Sequence, residues 1–517
     1  MTKLRLGIDV GGTNTDAAIL NDKNEIIHTV KYPTSLDVTS GIVNAIGKII
    51  HESEIDIAEI DYPMLGTTHC TNAIVERKGL NEIAVIRIGA PATTAVMPLT
   101  GAPADLKDLL NKHAYLIGGG HEFNGELINE LDEDKLREIA EDIKGSVDSV
   151  AITSVFSPVK NDHELRAKEI IQSILGDEIH ISLSHQIGST GLLERENATI
   201  LNSAVVNVAE KTANGFKDAL THYGINPTEV FFSQNDGTLM SIDYTIQYPI
   251  LTVACGPTNS LRGASFLGEV RNAVTVDVGG TTSDLGVLHN GFPRESAIAV
   301  EVGGMRTNFR MPDVTSIGLG GGTIIRQVGD EVTIGPDSVG YRITEKALVF
   351  GGDTLTATDV AVAKGICEVG DPEKVSHLGA NFVDQAYAMM VEMLENSIYQ
   401  IKTSAEPGPV ILVGVGSVIF PEEIKGAERV IKHPQGPAAN AIGATIAEVS
   451  GQVEKIYSLD EYTRDEILDQ AKEEAIREAV KAGADPQKIE IVNLEDVPLA
   501  YLGNATNVKV KASGPLK

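Results

Sequence analysis

The chain is poor in cysteine, in basic residues and in long apolar runs, and each shortage excludes a class of protein. Its three cysteines, Cys70, Cys255 and Cys367, stand far apart with no Cys-x-x-Cys spacing. That argues against a disulfide framework or a zinc site, and fits a reducing cytoplasm. Forty-two Lys and Arg face seventy-two Asp and Glu, a net charge of −30. Such a surface repels nucleic acid and anionic membrane, so neither is an expected partner. No apolar run has membrane-spanning length, and Met1-Thr2-Lys3-Leu4-Arg5-Leu6-Gly7 lacks the apolar region of a signal peptide. The expectation is a soluble, unexported chain.

What is present describes a folded protein. Hydrophobic residues make up 42% and charged residues 22% of 517, near the globular average. At roughly 150 residues per domain the length allows two to four domains. Short β-branched runs at 4–10, 83–88, 150–155, 273–278 and 410–415 predict strands, and 134–143 and 163–174 predict helices between them. This alternation predicts an α/β fold with largely parallel sheets covered on both faces.

One string occurs twice. Gly7-Ile8-Asp9-Val10-Gly11-Gly12-Thr13-Asn14-Thr15-Asp16 is echoed by Thr275-Val276-Asp277-Val278-Gly279-Gly280-Thr281-Thr282-Ser283-Asp284. The echo predicts a duplicated architecture with a nucleotide cleft between the halves. Glycine carries no Cβ, so a Gly-Gly-Thr turn bares backbone N–H groups that can cradle phosphate. Asp9 and Asp277, at strand ends, are placed to hold Mg²⁺ or orient an attacking group. The other reading is a plain hairpin turn, which one copy alone would favour; two copies with the same flanking Asp and Thr weigh against it. Neither loop is the Gly-x-Gly-x-x-Gly of dinucleotide folds, and no Walker-type Gly-x-x-x-x-Gly-Lys-Ser/Thr occurs. An anionic nucleotide therefore stays compatible with the acidic chain.

Further elements follow in order. Residues 192–213 read as a connecting helix, Val413-Gly414-Val415-Gly416-Ser417 as a loop that lets a nucleoside approach the backbone, and 436–444 as a small-residue helix suited to close packing. This succession is similar to the actin/Hsp70/sugar-kinase ATPase superfold, which is ribonuclease H-like. The resemblance narrows to the hydantoinase/oxoprolinase family through three stretches. They are Gly66-Thr67-Thr68-His69-Cys70-Thr71-Asn72, Ser182-Leu183-Ser184-His185 with Glu194-Arg195, and Ile317-Gly318-Leu319-Gly320-Gly321-Gly322-Thr323 with Ile334-Gly335-Pro336-Asp337-Ser338.

The resemblance implies an ATP- and Mg²⁺-dependent hydrolase that phosphorylates a small cyclic amide so that its ring opens. In that reading Gly11, Gly12, Thr13, Thr15, Gly279, Gly280, Thr281 and Thr282 hold phosphates, with Gly320, Gly321, Gly414 and Gly416 at the nucleotide. Asp9 and Asp277 serve the metal and the nucleophile, and Thr67, Thr68 and His69 lie toward the substrate. Implied partners are the cyclic amide, a separately encoded second subunit and, as an open alternative, further copies of this chain. A small-molecule kinase and a non-catalytic nucleotide-binding subunit are the rival readings. Expected domains are 1–190 with the first phosphate loop, 191–450 with the second, and a C-terminal appendage, 451–517.

Some residues carry two readings. Gly66-Thr67-Thr68 is either a substrate contact or a strand-to-helix turn capped by Thr68 or Thr71. Gly320-Gly321-Gly322 approaches the nucleotide or is a flexible loop. Cys255 reads as a small buried thiol rather than a nucleophile. His69, His121 and His185 are packed residues or acid-base groups, and none has metal-ligand spacing. Family members often carry His before Gly-Thr-Thr where this chain has Leu65, and Ala254-Cys255-Gly256-Pro257-Thr258-Asn259 replaces the familiar Ser-Gly-Pro-Ala-Gly. Substrate identity is left open by both departures.

Overall fold

A computed structural model describes residues 3–11, 14–33, 38–227, 229–296, 298–329, 331–459, 462–499 and 504–517. The repeated string forms the same object twice. Strands Leu4–Val10 and Asn14–Leu20 pair antiparallel with Asp9 opposite Asp16. Strands Ala273–Val278 and Ser283–His289 pair antiparallel with Asp277 opposite Asp284. Even the turn bonds correspond, with Gly11 N–H donating to Asn14 O at 2.9 Å and Gly279 N–H to Thr282 O at 2.9 Å.

Each hairpin opens a sheet in which its first strand also has a parallel neighbour. Ile60–Thr67 lies beside Leu4–Val10, with Asp9 opposite Gly66, and Gly408–Val413 lies beside Ala273–Val278, with Asp277 opposite Val413. These strands have the continuous apolar character of a sheet covered on both faces: Leu6, Ile8, Val276 and Val278 are all at most 1% exposed. The first sheet grows to nine strands because Glu448–Ser458, Ala505–Gly514 and Glu490–Pro498 continue it, so much of the C-terminal stretch is built onto the first half. The helix Arg464–Lys481 packs on those added strands through Ile467, Ala471, Ala475 and Ala479.

Between the two sheets lie two helices, Cys255–Gly268 and Ala439–Ile446. Their backbones meet. A Cβ on Gly263 would stand 1.8 Å from Ala439 O, and one on Gly443 1.8 Å from Asn259 O. Glycine is the residue that permits this crossing, and the small-residue reading of 436–444 is explained by it. The segment 192–213 is two helices, Leu192–Ala204 and Val206–His222, and the first packs on a separate four-stranded parallel sheet inserted in the first half. Cys255–Gly268, immediately ahead of the second hairpin, is the helix that touches both sheets. Among the described residues no helix is long and apolar enough to cross a membrane.

Candidate active site

The helix Cys255–Gly268 carries adjacent residues that reach the two repeated aspartates. Asn259 Nδ2 donates to Asp9 Oδ1 at 2.9 Å, and the Ser260 hydroxyl donates to Asp277 Oδ2. Asp9 is 3% exposed, and its second oxygen accepts from Asn440 Nδ2 at 3.1 Å. The same Asn440 amide donates to Asp16 Oδ2 at 3.0 Å, and Lys31 pairs with Asp16 from the far side. Burial pushes the Asp9 carboxyl up to about 6, against the pull of Asn259. Asp277 is only partly buried, and desolvation again pushes it up to about 6, offset in part by Ser260. Lys31 and Asp16 of the first half act on Asp277 through space, so the two hairpins converge on one electrostatic environment.

A glycine makes room at each aspartate. A Cβ on Gly66 or on Gly414 would lie 2.3 Å from Oδ1 of Asp9 or of Asp277, respectively. The Gly66-Thr67-Thr68 and Gly414-Val415-Gly416 segments, flagged separately in the sequence, are therefore counterparts. Thr68 precedes the helix His69–Glu76 but makes no side-chain cap; its hydroxyl donates to Val10 O at 3.3 Å and ties the segment to the first loop. Thr67 is buried and its hydroxyl contacts the His69 ring. Cys255 lies behind Thr67, with its sulfur 3.4 Å from Thr67 N and 3.3 Å from Thr67 O, and burial pushes the thiol far up. That is the small buried thiol expected from the sequence.

The remaining expected residues divide. Gly12 and Thr13 lie outside the described residues. Gly11 and Gly279 sit at the same turn position, and Thr281 and Thr282 are exposed at the second tip. Thr15 is fully buried, and its counterpart Ser283 donates to Leu319 O. Gly320, Gly321 and Gly322 have committed amides: Gly321 N–H donates to Gly279 O at 3.0 Å, Gly322 N–H to Gly280 O at 2.7 Å, and Gly320 N–H to Thr323 Oγ1 at 2.7 Å. They fix the second loop, and a phosphate would find those donors taken. Gly416 packs on Gly279 O, where a Cβ would lie at 2.7 Å.

Asn259, Ser260, Asn440 and Lys31 escaped the sequence reading. Asn440 had a signal, a lone amide in a run of Ala, Gly and Ile; Lys31 had none, because its role depends on strand register. Ser184, His185 and Arg195 serve a buried network instead. Glu164 accepts from Ser184 Oγ and from His185 Nδ1, each at 2.5 Å, and Arg195 Nε donates to Ser184 Oγ at 2.9 Å.

Residues 5–175 match the hydantoinase/oxoprolinase N-terminal region, and residues 195–371 match the hydantoinase/oxoprolinase domain that follows it. The chain belongs to the hydantoinase/oxoprolinase family. Its relatives in this family include the acetone carboxylase beta subunit of Xanthobacter autotrophicus, 25% identical, and the caprolactamase subunit alpha of Pseudomonas jessenii, 26% identical. Each alignment covers 70% of this chain, which spans 54% of either subunit. A protein of Methanocaldococcus jannaschii is 25% identical over 99% of this chain and 82% of its own length. Among solved structures, ATP-dependent caprolactamase from Pseudomonas jessenii superposes with a TM-score of 0.79 at 19% identity, covering 99% of this chain and 88% of that one. Nucleotide-free acetone carboxylase superposes at 0.67 and 17% identity, covering 100% and 88%. This hydantoinase/oxoprolinase chain has the α/β fold of those two structures, with the hairpin duplication expected from the repeated loops.

Proposed function

We propose that this chain is the ATP-handling part of an enzyme that phosphorylates the carbonyl oxygen of a small cyclic amide, so that water can open the ring. The observation that carries the reading is the pair Asp9 and Asp277, at equivalent hairpin positions, both proton-hungry near neutrality and joined through neighbouring residues of one helix. Two desolvated carboxylates whose proton affinity is raised form a site that suits a divalent cation. Asp9 and Asp277 would hold Mg²⁺, whose chemistry there would be neutralisation of the phosphate oxygens.

The amide oxygen attacks Pγ of ATP, forming an O–P bond as the Pβ–O–Pγ bond breaks and ADP leaves. The amide N–H proton passes to a carboxylate with an affinity near 6, the role assigned here to Asp277. Phosphorylation makes the carbon electrophilic: water adds there, the ring C–N bond breaks as the nitrogen takes up a proton and leaves as an amine, and a second water hydrolyses the resulting acyl phosphate to carboxylate and phosphate. His69, whose ring Thr67 contacts, is assigned to the substrate side, while Gly66-Thr67-Thr68 supports the first loop. Both named relatives are subunits, and this reading gives the chain a separately encoded partner.

A ketone is the second substrate class, supported by the similarity to the acetone carboxylase subunit; its carbonyl oxygen would meet Pγ as the amide oxygen does. Calorimetry with Mg²⁺ and ATP on the parent, Asp9→Ala and Asp277→Ala tests the nucleotide site; equal affinity in all three sinks it. Phosphate release with a panel of lactams and cyclic imides, against ketones with bicarbonate, then separates the two substrate classes. Accumulation of a stable phosphorylated product would instead select a kinase.

A further inference from the structure

The inserted four-stranded sheet has chemistry of its own, away from the aspartate pair. Its strands, all parallel, run in the order His113–Gly118, Ile83–Ala90, Ser149–Ser154, His180–Leu183. In chain order that is second, first, third, fourth. The helix Ala104–Leu110 packs on one face, with Leu106 and Leu110 against Ile83 and Val85. The helices Glu133–Ile143 and Asp162–Leu175 pack on the other, against Ile86, Ile88 and Ile152. Connections therefore part to opposite faces between Ile83–Ala90 and Ser149–Ser154. The crevice outside the carboxyl ends of strands at such a reversal is where open parallel sheets bind ligands.

Three potential ligands meet there. The Gly119-Gly120-His121 loop lies over the ends of the two diverging strands: Gly119 N–H donates to Ala90 O at 3.3 Å and His121 N–H to Val155 O at 3.2 Å. His163, in the first turn of Asp162–Leu175, brings its ring centroid 4.4 Å from that of His121. Asp162 turns Oδ1 to within 3.2 Å of His121 Nε2, while Lys160 stands 3.6 Å from its other oxygen. One ring nitrogen of each histidine and one Asp162 oxygen all lie within 4.8 Å of one another.

His121 supplies the independent sign of a missing ligand. It is 0% exposed, yet neither ring nitrogen makes a well-aligned hydrogen bond, with the Asp162 oxygen the close polar atom beside Nε2. A buried imidazole always presents an N–H and a lone pair, and natural cores rarely leave both idle. Burial also holds both imidazoles below their usual proton affinity, which keeps them in the neutral form that binds metals.

We propose that His121, His163 and Asp162 form a binding site for one first-row transition-metal ion of the zinc(II) class. Two imidazoles and a carboxylate are the donor set of open zinc and related sites, where the remaining positions go to water or an anionic ligand. Donor atoms around a tetrahedral zinc stand about 3.4 Å apart, given Zn–N and Zn–O distances of ~2.1 Å; side-chain rotation of the half-exposed Asp162 and the two rings closes that gap. The Gly120 N–H now donates to His163 Nδ1 at 3.0 Å, so that lone pair is one the ion can take from the amide.

The test uses the full chain stripped with chelator and titrated with cobalt(II) chloride. One equivalent should bind with the strong visible absorption of a low-coordinate nitrogen-ligated ion, and zinc(II) chloride should displace it. Asp162→Asn should weaken binding at least about tenfold and His121→Gln should abolish the band, whereas Asp277→Asn should leave it intact. Because Asp162 is 53% exposed, its variant folds even where the buried His121 variant does not. No visible band in the parent, or a band of equal affinity in Asp162→Asn and His163→Gln, overturns the proposal.

Discussion

Asp9 and Asp277 occupy the same register position in two copies of one hairpin, yet the two halves hold them differently. Asp9 is deeply buried between two fixed amide donors, Asn259 and Asn440, and is backed by the Asp16–Lys31 pair. Asp277 is partly open and receives a rotatable hydroxyl, while its neighbour Asp284 is met by Ser316 with no cation paired to it among the described residues. A carboxylate with two fixed donors is committed to its place; one with a single hydroxyl can exchange protons and ligands. Duplication has thus left one framework aspartate and one chemically free aspartate, and the first half also carries the cation.

The largest effect should come from Asp277→Asn. As a proton acceptor in the proposed reaction its loss should lower turnover by about 10²–10⁴-fold, read as phosphate release. Stability should move the other way. An acid near 3.8 when unfolded and about 6 when folded destabilises the fold once ionised, a cost that grows as pH rises through that window and is complete above it. The asparagine variant should therefore be the more stable at pH 8, by up to about 3 kcal/mol at ~1.4 kcal/mol per unit, and no more stable near pH 4. Ser260 can reorient its hydroxyl to suit an amide. Asp9→Asn lacks this freedom, because Asn440 also serves Asp16 and its donor cannot turn away. Equal thermal shifts in the two variants would erase the distinction drawn between the halves.

The next effect concerns what both halves share. Gly443→Ala places a methyl 1.8 Å from Asn259 O and must push apart the helices that carry Asn440 and the Asn259-Ser260 pair. Overpacking of this kind costs about 1–3 kcal/mol or more, and denaturant unfolding should show it. Gly408→Ala, with nothing within 4 Å of its Cβ, is the control and should be close to neutral.

How far these features were legible follows from their physics. Local chemistry was readable: Asp-Val-Gly-Gly-Thr predicts a hairpin from its own residues, and it recurs with matching turn bonds at Gly11 and Gly279. The pairing of Gly66 with Gly414 was half legible, since each glycine segment stands out in sequence but their equivalence appears only once both lie against an aspartate. Asn259, Ser260 and Lys31 were hidden because helix facing and strand register decide which polar side chains meet a distant carboxylate. The connecting helix was sought at 192–213, where aliphatic periodicity is strong. Cys255–Gly268, which links the sheets, is instead rich in Gly, Ser, Thr and Asn because a close crossing selects small residues over an apolar stripe. For Gly321 and Gly322 the sequence showed the freedom of their backbone but not that Gly279 and Gly280 had already claimed their amides.

A smaller effect should follow Asn440→Ala, which removes one donor from Asp9 and one from Asp16 at once. Removing donors from buried carboxylates costs about 1–3 kcal/mol and lifts the proton affinity of Asp9 further above 6. Magnesium–nucleotide binding in the parent should strengthen as pH rises through about 6, because a cation competes with the proton. In Asn440→Ala the same rise should come at higher pH. Calorimetry across pH 5 to 8 (a range of about 3 units around those values) reads both, and an unmoved midpoint would remove Asp9 from the metal site.

The smallest effect isolates one loop. In the second half the Gly279-Gly280-Thr281 loop is clamped by Gly321 and Gly322 amides and by the packing of Gly416, whereas on the first side the Gly66-Thr67-Thr68 segment reaches its loop through one hydroxyl, Thr68 to Val10 O at 3.3 Å. Thr68→Ala should cost only about 0.5–1.5 kcal/mol of fold stability, within reach of differential scanning calorimetry. Its functional signature is more specific than its stability cost. Loosening one of two loops should raise the KM for ATP while leaving kcat near the parent value, since Asp277 and the second loop stay in place. Thr68→Ser keeps the hydroxyl and should restore KM. A fall in kcat with KM unchanged would mean instead that Thr68 touches the reacting group, moving the Gly66-Thr67-Thr68 segment from loop support to the substrate.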